Sequence, residues 1–293
     1  MEKIPRILII GLGQIGYANA EYLSKLGFRA DGYDVNKKAT KTAIADGVIR
    51  NEAKTFENYD YYMICVSTHN PQNISTPNFD GLLDTVQRLS HEGKENALIT
   101  IESTISKTLC HEVLDTVDHK LHLAHVPHRY YVKEKERHGV RQLRVLAGFE
   151  KCCVNEAKNF YRSLLNIPFH EVDSLELAAL SKVVENAHRF LEIAFAEEVK
   201  LLCEAHALNF KNLRKAVNTK WNINILEARA GIGGHCLPKD TQMYLDMAKN
   251  LSSSILESAV QMNKEYEVRL SDRRNFGLIS LEKKIITTSQ DSF

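Results

Sequence analysis

One short stretch gathers reactive groups. Gly231-Ile232-Gly233-Gly234-His235-Cys236-Leu237-Pro238-Lys239-Asp240 sets a thiol beside a His, a Lys and an Asp within four residues. Cations near a thiol raise its thiolate fraction, and the thiolate is the form that attacks carbon. Glycines before it let the backbone turn tightly and approach a ligand. Cys65 and Cys203, by contrast, lie inside apolar runs, as inert buried thiols do. Lys182 and Asn186 stand four apart in a stretch free of Gly and Pro, so they share one helix face. That spacing suits a solvated helix face, and equally an ammonium and an amide converging on an oxyanion.

A second kind of chemistry is legible at the start of the chain. Gly11-Leu12-Gly13-Gln14-Ile15-Gly16 follows the apolar run Ile7-Leu8-Ile9-Ile10 and opens a helical stretch. Glycines at this spacing allow a tight turn and close approach to a pyrophosphate, which the helix N-terminus then attracts. Asp34 lies 18 residues beyond Gly16, where an acid can accept hydrogen bonds from a ribose 2′-hydroxyl. Val35 and Asn36 follow it without an Arg, which favours NAD over NADP. His119, His122, His125 and His128 recur every third residue. A step of three switches faces on a strand, so the four are not expected to converge, and no metal is assigned. Cys152 and Cys153 are adjacent at a helix start, a spacing that rarely gives a relaxed disulfide.

These groups need elements to hold them. Strands are expected at Ile7–Ile10, Arg29–Tyr33, Tyr62–Val66 and Ala97–Ile101, with weaker signals at Leu121–Val126 and Arg144–Ala147. Alternation with amphipathic stretches predicts an α/β fold, a Rossmann-type doubly wound parallel sheet, over residues 1–172. From Ser174 to His206 apolar residues recur at helical spacing, predicting one long helix at the head of an all-helical domain, 173–270. More helix is expected at Phe210–Val217, Thr241–Ala248 and Ser252–Leu270, followed by a polar tail, 271–293.

Composition narrows the function. Of 293 residues, 44% are hydrophobic and 26% charged, the balance of a globular chain. Lys and Arg total 38 against 37 acids, which argues against a nucleic-acid binder. No apolar run reaches the roughly 18 residues of a membrane helix. The opening residues lack a secretory leader and the six Cys lack a disulfide framework, so a cytoplasmic protein with reduced thiols is expected.

The cysteine loop, with Asn218-Thr219 upstream, resembles the active-site segment of the UDP-glucose/GDP-mannose dehydrogenase family. Lys182-Val183-Val184-Glu185-Asn186 is similar to its K-x-x-x-N, and Phe195-Ala196-Glu197-Glu198 to its F-A-N-E. Cys65-Val66-Ser67-Thr68 and Glu102-Ser103-Thr104 resemble two strand-end loops around the cofactor. The resemblance runs from about residue 5 to 270. It implies oxidation of the primary alcohol of a sugar nucleotide to a carboxylate, consuming two NAD. Cys236 would hold the aldehyde as a thiohemiacetal and then a thioester. Lys182 and Asn186 would stabilise the oxyanion, Asp240 would orient Lys182 or a water, and Thr104 would hold that water. Val66, Thr68 and Glu102 would line the cofactor site with Gly11, Gly13, Gln14, Ile15, Gly16 and Asp34.

Departures are as informative. Where the family has Pro-Glu this chain has Pro127-His128, which makes His128 a candidate base for thioester hydrolysis. Ala178-Ala179 replaces Ala-Glu, and Ala228-Arg229-Ala230 replaces Pro-Gly-Pro. The family's C-terminal nucleotide-gripping α/β domain has no counterpart in the sequence. The long helix carries more apolar surface than one small domain hides, implying a homodimer. Two other readings fit the same residues: a two-electron β-hydroxyacid or polyol dehydrogenase, and a catalytically silent NAD-binding subunit.

Overall fold

The computed structural model describes residues 4–288, with side chains through residue 272. The chain divides between Val183 and Val184 into two compact units.

The first unit alternates strand and helix: β1 (Ile7–Ile10), α1 (Gln14–Lys25), β2 (Asp31–Tyr33), α2 (Lys37–Ala45), β3 (Tyr61–Ile64), α3 (Asp80–Glu92), β4 (Leu98–Ile101), α4 (Lys107–Val117), β5 (His122–His125), β6 (Arg144–Gly148), α5 (Lys151–Lys158) and β7 (Phe169–Glu171). They form one seven-stranded sheet in the order β2-β1-β3-β4-β5-β6-β7. Every pairing is parallel except β5 with β6. The doubly wound expectation therefore holds, with one antiparallel step and an edge strand, β7, added.

Its strands are buried on both faces, and the two-residue period sorts their side chains. Leu8, Ile10, Tyr62, Ile64, Ile99 and Ile101 join one core. Ile7, Ile9, Tyr61, Met63 and Leu98 join the other. Because β1 has β2 on one side and β3 on the other, the loops after β1 and β3 part at a topological switch point. Ligands of open α/β sheets bind in such a crevice, at the carboxyl ends of the strands.

The second unit is helical. It holds most of α6 (Leu175–Ala205), then α7 (Phe210–Val217), α8 (Cys236–Met247) and α9 (Ile255–Thr288). The division falls inside α6 and not at residue 172, because Leu175, Ala178 and Ala179 of its first turns belong to the sheet's core. Helix α9 continues through Thr288, so most of the expected tail is helical; residues 289–293 lie outside the described residues. Its Pro-free sequence, with the good helix formers Leu278, Leu281, Glu282, Lys283 and Lys284, explains the continuation. Helix α8 starts at Cys236, ahead of the expected Thr241. Pro238 falls in its first turn, where a missing N–H costs nothing. Among the described residues no helix is long and apolar enough to cross a membrane.

Candidate active site

In the first unit, the turn after β1 is shaped by what a side chain would meet. A Cβ on Gly16 would lie 1.8 Å from the Gly11 carbonyl oxygen, and one on Gly11 would lie 2.8 Å from the Cys65 carbonyl group. Gly11 also has φ +90°, which glycine tolerates best. At Gly13 a Cβ would meet nothing within 4 Å. Gly13 and Gln14 are exposed at the start of α1, and Gly13 caps it without a side-chain bond, leaving first-turn amides for an anion. Ile15 packs against the core on the same turn. The residues present thus fit a dinucleotide pyrophosphate.

Asp34 follows β2. Its Oδ2 accepts the Leu12 N–H (2.7 Å) and its Oδ1 the Asn36 N–H (2.7 Å), which fixes the carboxylate beside the glycine turn. Lys37, which could have received a 2′-phosphate, forms an ion pair with Glu52. Val66 and Thr68 follow β3, and Thr104 follows β4. The Ser103 hydroxyl donates to the Val66 carbonyl (2.6 Å), tying the two loops together. Parallel strands put all these loops at one end of the sheet.

Glu102 departs from expectation. Its side chain is turned into the fold, 2% exposed, and accepts from Asn19 Nδ2 (2.7 Å), Arg144 Nη1 (2.8 Å) and the Tyr161 hydroxyl (2.6 Å). Three donors around a buried carboxylate make a structural hub and leave it little to offer a cofactor. His128 joins the same hub. Its Nδ1 accepts the Tyr130 N–H (3.0 Å), and Nε2 lies 3.2 Å from Asn19 Oδ1 and 2.9 Å from Arg144 Nη2. Burial, then the charges of Arg144 and Lys182, hold its pKa well below the usual value. A buried imidazole kept neutral in this way is a poor base near pH 7, so the role expected for His128 is not supported by its surroundings. His125 is likewise buried, with burial pulling its pKa to about 4. The four histidines do not converge as a set: His125 bonds the Ile101 carbonyl, while His119 and His122 lie beside Cys152 and Cys153.

The second unit holds the cysteine loop. Gly231 (φ +90°) and Gly234 (φ +77°) take left-handed backbone. Asn263 Oδ1 accepts the Ile232 N–H (2.8 Å) and anchors the loop to α9. Cys236, exposed, is the first residue of α8, and its Sγ lies 3.3 Å from His235 Nδ1. One turn later Asp240, 1% exposed, accepts from Asn186 Nδ2 on Oδ2 (2.5 Å) and from Lys239 Nζ on Oδ1 (2.5 Å). Its chain neighbour Lys239 is therefore an ammonium partner of Asp240. Asn218 closes the upstream loop, accepting the Ile225 N–H (2.7 Å) and donating to its carbonyl (3.0 Å).

Sequence reasoning missed Asn19, Arg144, Lys239 and Asn263. Only Lys239 left a signal, as a cation within the cysteine loop.

Residues 176–265 match the sequence model of the UDP-glucose/GDP-mannose dehydrogenase family, central domain. The match covers that stretch of the chain and is to the family's central domain. Across the chain, the UDP-N-acetyl-D-mannosamine dehydrogenase of Methanococcus maripaludis is 27% identical, with 89% of this chain and 65% of that protein covered. The enzyme of the same name from Campylobacter jejuni is 25% identical, with 97% and 76% covered. The solved structure of the Pyrococcus horikoshii UDP-D-ManNAc dehydrogenase superposes with a TM-score of 0.78 at 21% identity, covering 94% of this chain and 72% of that one. That likeness speaks for the fold. The chain spans about two thirds of the length of the archaeal relatives it matches.

Proposed function

We propose that this chain belongs to the UDP-glucose/GDP-mannose dehydrogenase family and oxidises the primary alcohol of a nucleotide sugar, with NAD as cofactor and Cys236 as covalent nucleophile. UDP-N-acetylmannosamine, the substrate in its relatives' names, is the first candidate. The observation that carries the reading is the cysteine loop itself. An exposed thiol opens α8, while one turn on a buried carboxylate fixes an amide of α6.

Bound NAD supplies the hydride acceptor. The glycine turn after β1 and the Asp34 carboxylate hold and orient it. Lys182 accepts the alcohol proton as the first hydride leaves and an aldehyde forms. The Cys236 sulfur then bonds to the aldehyde carbon, and its proton passes to the oxygen, giving a thiohemiacetal. First-turn amides of α8 favour negative charge on that sulfur. Asn186, oriented by Asp240, donates to the developing oxyanion. The second hydride passes to a second NAD, exchanged for the first NADH, and loss of the hydroxyl proton leaves a thioester. Water held by Thr104 cleaves its C–S bond, and the thiol regains its proton. His128 acts as a positioning residue for the sheet-end loops and not as the base.

The outer face of α6 leaves Val184, Phe195 and Leu202 exposed, a stripe that a second copy of the chain would cover as a homodimer. Six cysteines without a disulfide fit a cytoplasmic setting.

Incubation with NAD and a panel of UDP-, GDP- and TDP-sugars tests the reading by NADH absorbance. Turnover of UDP-N-acetylmannosamine is expected; tight NAD binding with no NADH from any sugar nucleotide would favour a silent subunit instead.

A further inference from the structure

Away from the crevice, two histidines and two cysteines of the first unit face one another. His119 precedes β5, His122 opens it, and Cys152 and Cys153 lie in the first turn of α5. The four ligand atoms all fall within 4.8 Å of one another. His119 Nε2 is 3.3 Å from Cys152 Sγ and 3.4 Å from Cys153 Sγ, and His122 Nδ1 is 3.6 Å from Cys153 Sγ.

Those separations have a metric meaning. In a tetrahedral zinc site with Zn–S near 2.3 Å and Zn–N near 2.05 Å, each N···S edge is about 3.5 Å. The three observed N···S distances bracket that value. A thiol–imidazole hydrogen bond explains one such contact, but not one imidazole nitrogen approached by two sulfurs while the second sulfur approaches another imidazole. Tetrahedral N2S2 sets select zinc over harder cations.

The backbone is arranged for this meeting. Asp118 (φ 47°) and His119 (φ 49°) are consecutive non-glycine residues in the left-handed region. Asp118 is the left-handed C-cap of α4, a common way for a helix to end, and His119 continues the turn at a cost of order 1 kcal/mol. The turn they make brings His119 to the same side as His122, although a step of three along a strand would separate them. Phe149 packs its ring edge-on against His119 (5.6 Å), backing the cluster with hydrocarbon.

We infer that His119, His122, Cys152 and Cys153 form a structural zinc site that clips the α4–β5 turn to the β6–α5 turn. Binding displaces one proton from each thiol, so two thiolates balance the dication and the site is neutral. The sheet order puts it at the opposite end from the phosphate loops, since His122 opens its strand while those loops follow theirs. Four protein ligands leave no open position, so its role is to hold structure.

The test uses untagged full-length protein, purified without immobilised metal. Elemental analysis should find about one zinc per chain. Replacement of zinc by cobalt(II) should give the intense visible bands of a tetrahedral thiolate site. Cys152→Ser with Cys153→Ser should remove the metal, whereas Cys236→Ser should keep it, which separates this site from the proposed chemistry. Chelation should lower the melting temperature of the parent and leave the double variant unmoved. Less than about one zinc in five chains after equimolar loading, an octahedral cobalt spectrum, or a Cys152–Cys153 disulfide in the reduced-buffer protein would overturn the inference.

Discussion

Glu197→Gln gives a test whose size follows from the structure. Glu197 lies on α6 with no exposed surface, and neither carboxylate oxygen finds a hydrogen-bond partner among the described residues. Lys200, three residues on, donates to the Tyr266 hydroxyl instead (2.7 Å). Burial, then the charge of Glu267, raises the Glu197 pKa from 4.5 to about 7, against a smaller opposing pull from Lys200. A raised carboxyl stabilises the fold only while it is protonated. Between pH 4.5 and about 7 the unfolded chain releases this proton and the folded chain keeps it, so stability falls as pH rises and the loss is complete above 7. At about 1.4 kcal/mol per pH unit the loss is about 3 kcal/mol. Glutamine cannot ionise, so the variant escapes that loss. Melting temperatures at pH 5 and pH 8 should diverge: with ~2–4 °C per kcal/mol, the parent should drop by roughly 6–12 °C more than Glu197→Gln. Parallel curves for the two proteins would refute a buried, unpartnered carboxyl at this position.

Gly13→Ala adds a methyl group that meets no protein atom, so its melting temperature should stay within about 2 °C of the parent while NAD affinity falls at least ~10-fold; unchanged affinity in a titration would remove the pyrophosphate from this turn. Arg144→Met strips the buried Glu102 of its cation and should cost about 3–5 kcal/mol in urea unfolding. Glu102→Gln in the same chain should recover part of that, and simple additivity would count against the hub.

Much of the frame was legible because its signals are local. Ile7–Ile10 is an unbroken apolar run before a glycine turn, and the long apolar period from residue 174 fixed α6 to within a residue or two at each end. Contacts between distant segments were not legible. Glu102 sits at a strand end, where an acid looks ligand-facing, yet its partners Asn19, Arg144 and Tyr161 come from three separate elements. His119 and His122 were assigned to opposite faces because a regular strand was assumed. The left-handed turn at Asp118 and His119 is invisible to spacing rules. Strand β7 was missed because Phe169-His170-Glu171 is a short edge with no apolar run to announce it. The start of α8 was missed because Pro238 reads as a helix breaker unless it falls in a first turn.

Covalent capture by Cys236 during turnover leaves a direct signature in the reaction's stoichiometry. Burst stoichiometry with UDP-N-acetylmannosamine, read as NADH formed per sugar consumed, should approach two for the parent. Cys236→Ala should abolish release of the acid, and the parent should carry a substrate-mass adduct on Cys236 in quenched samples. One NADH per sugar, with turnover surviving Cys236→Ala, would contradict covalent capture and point to a two-electron dehydrogenase.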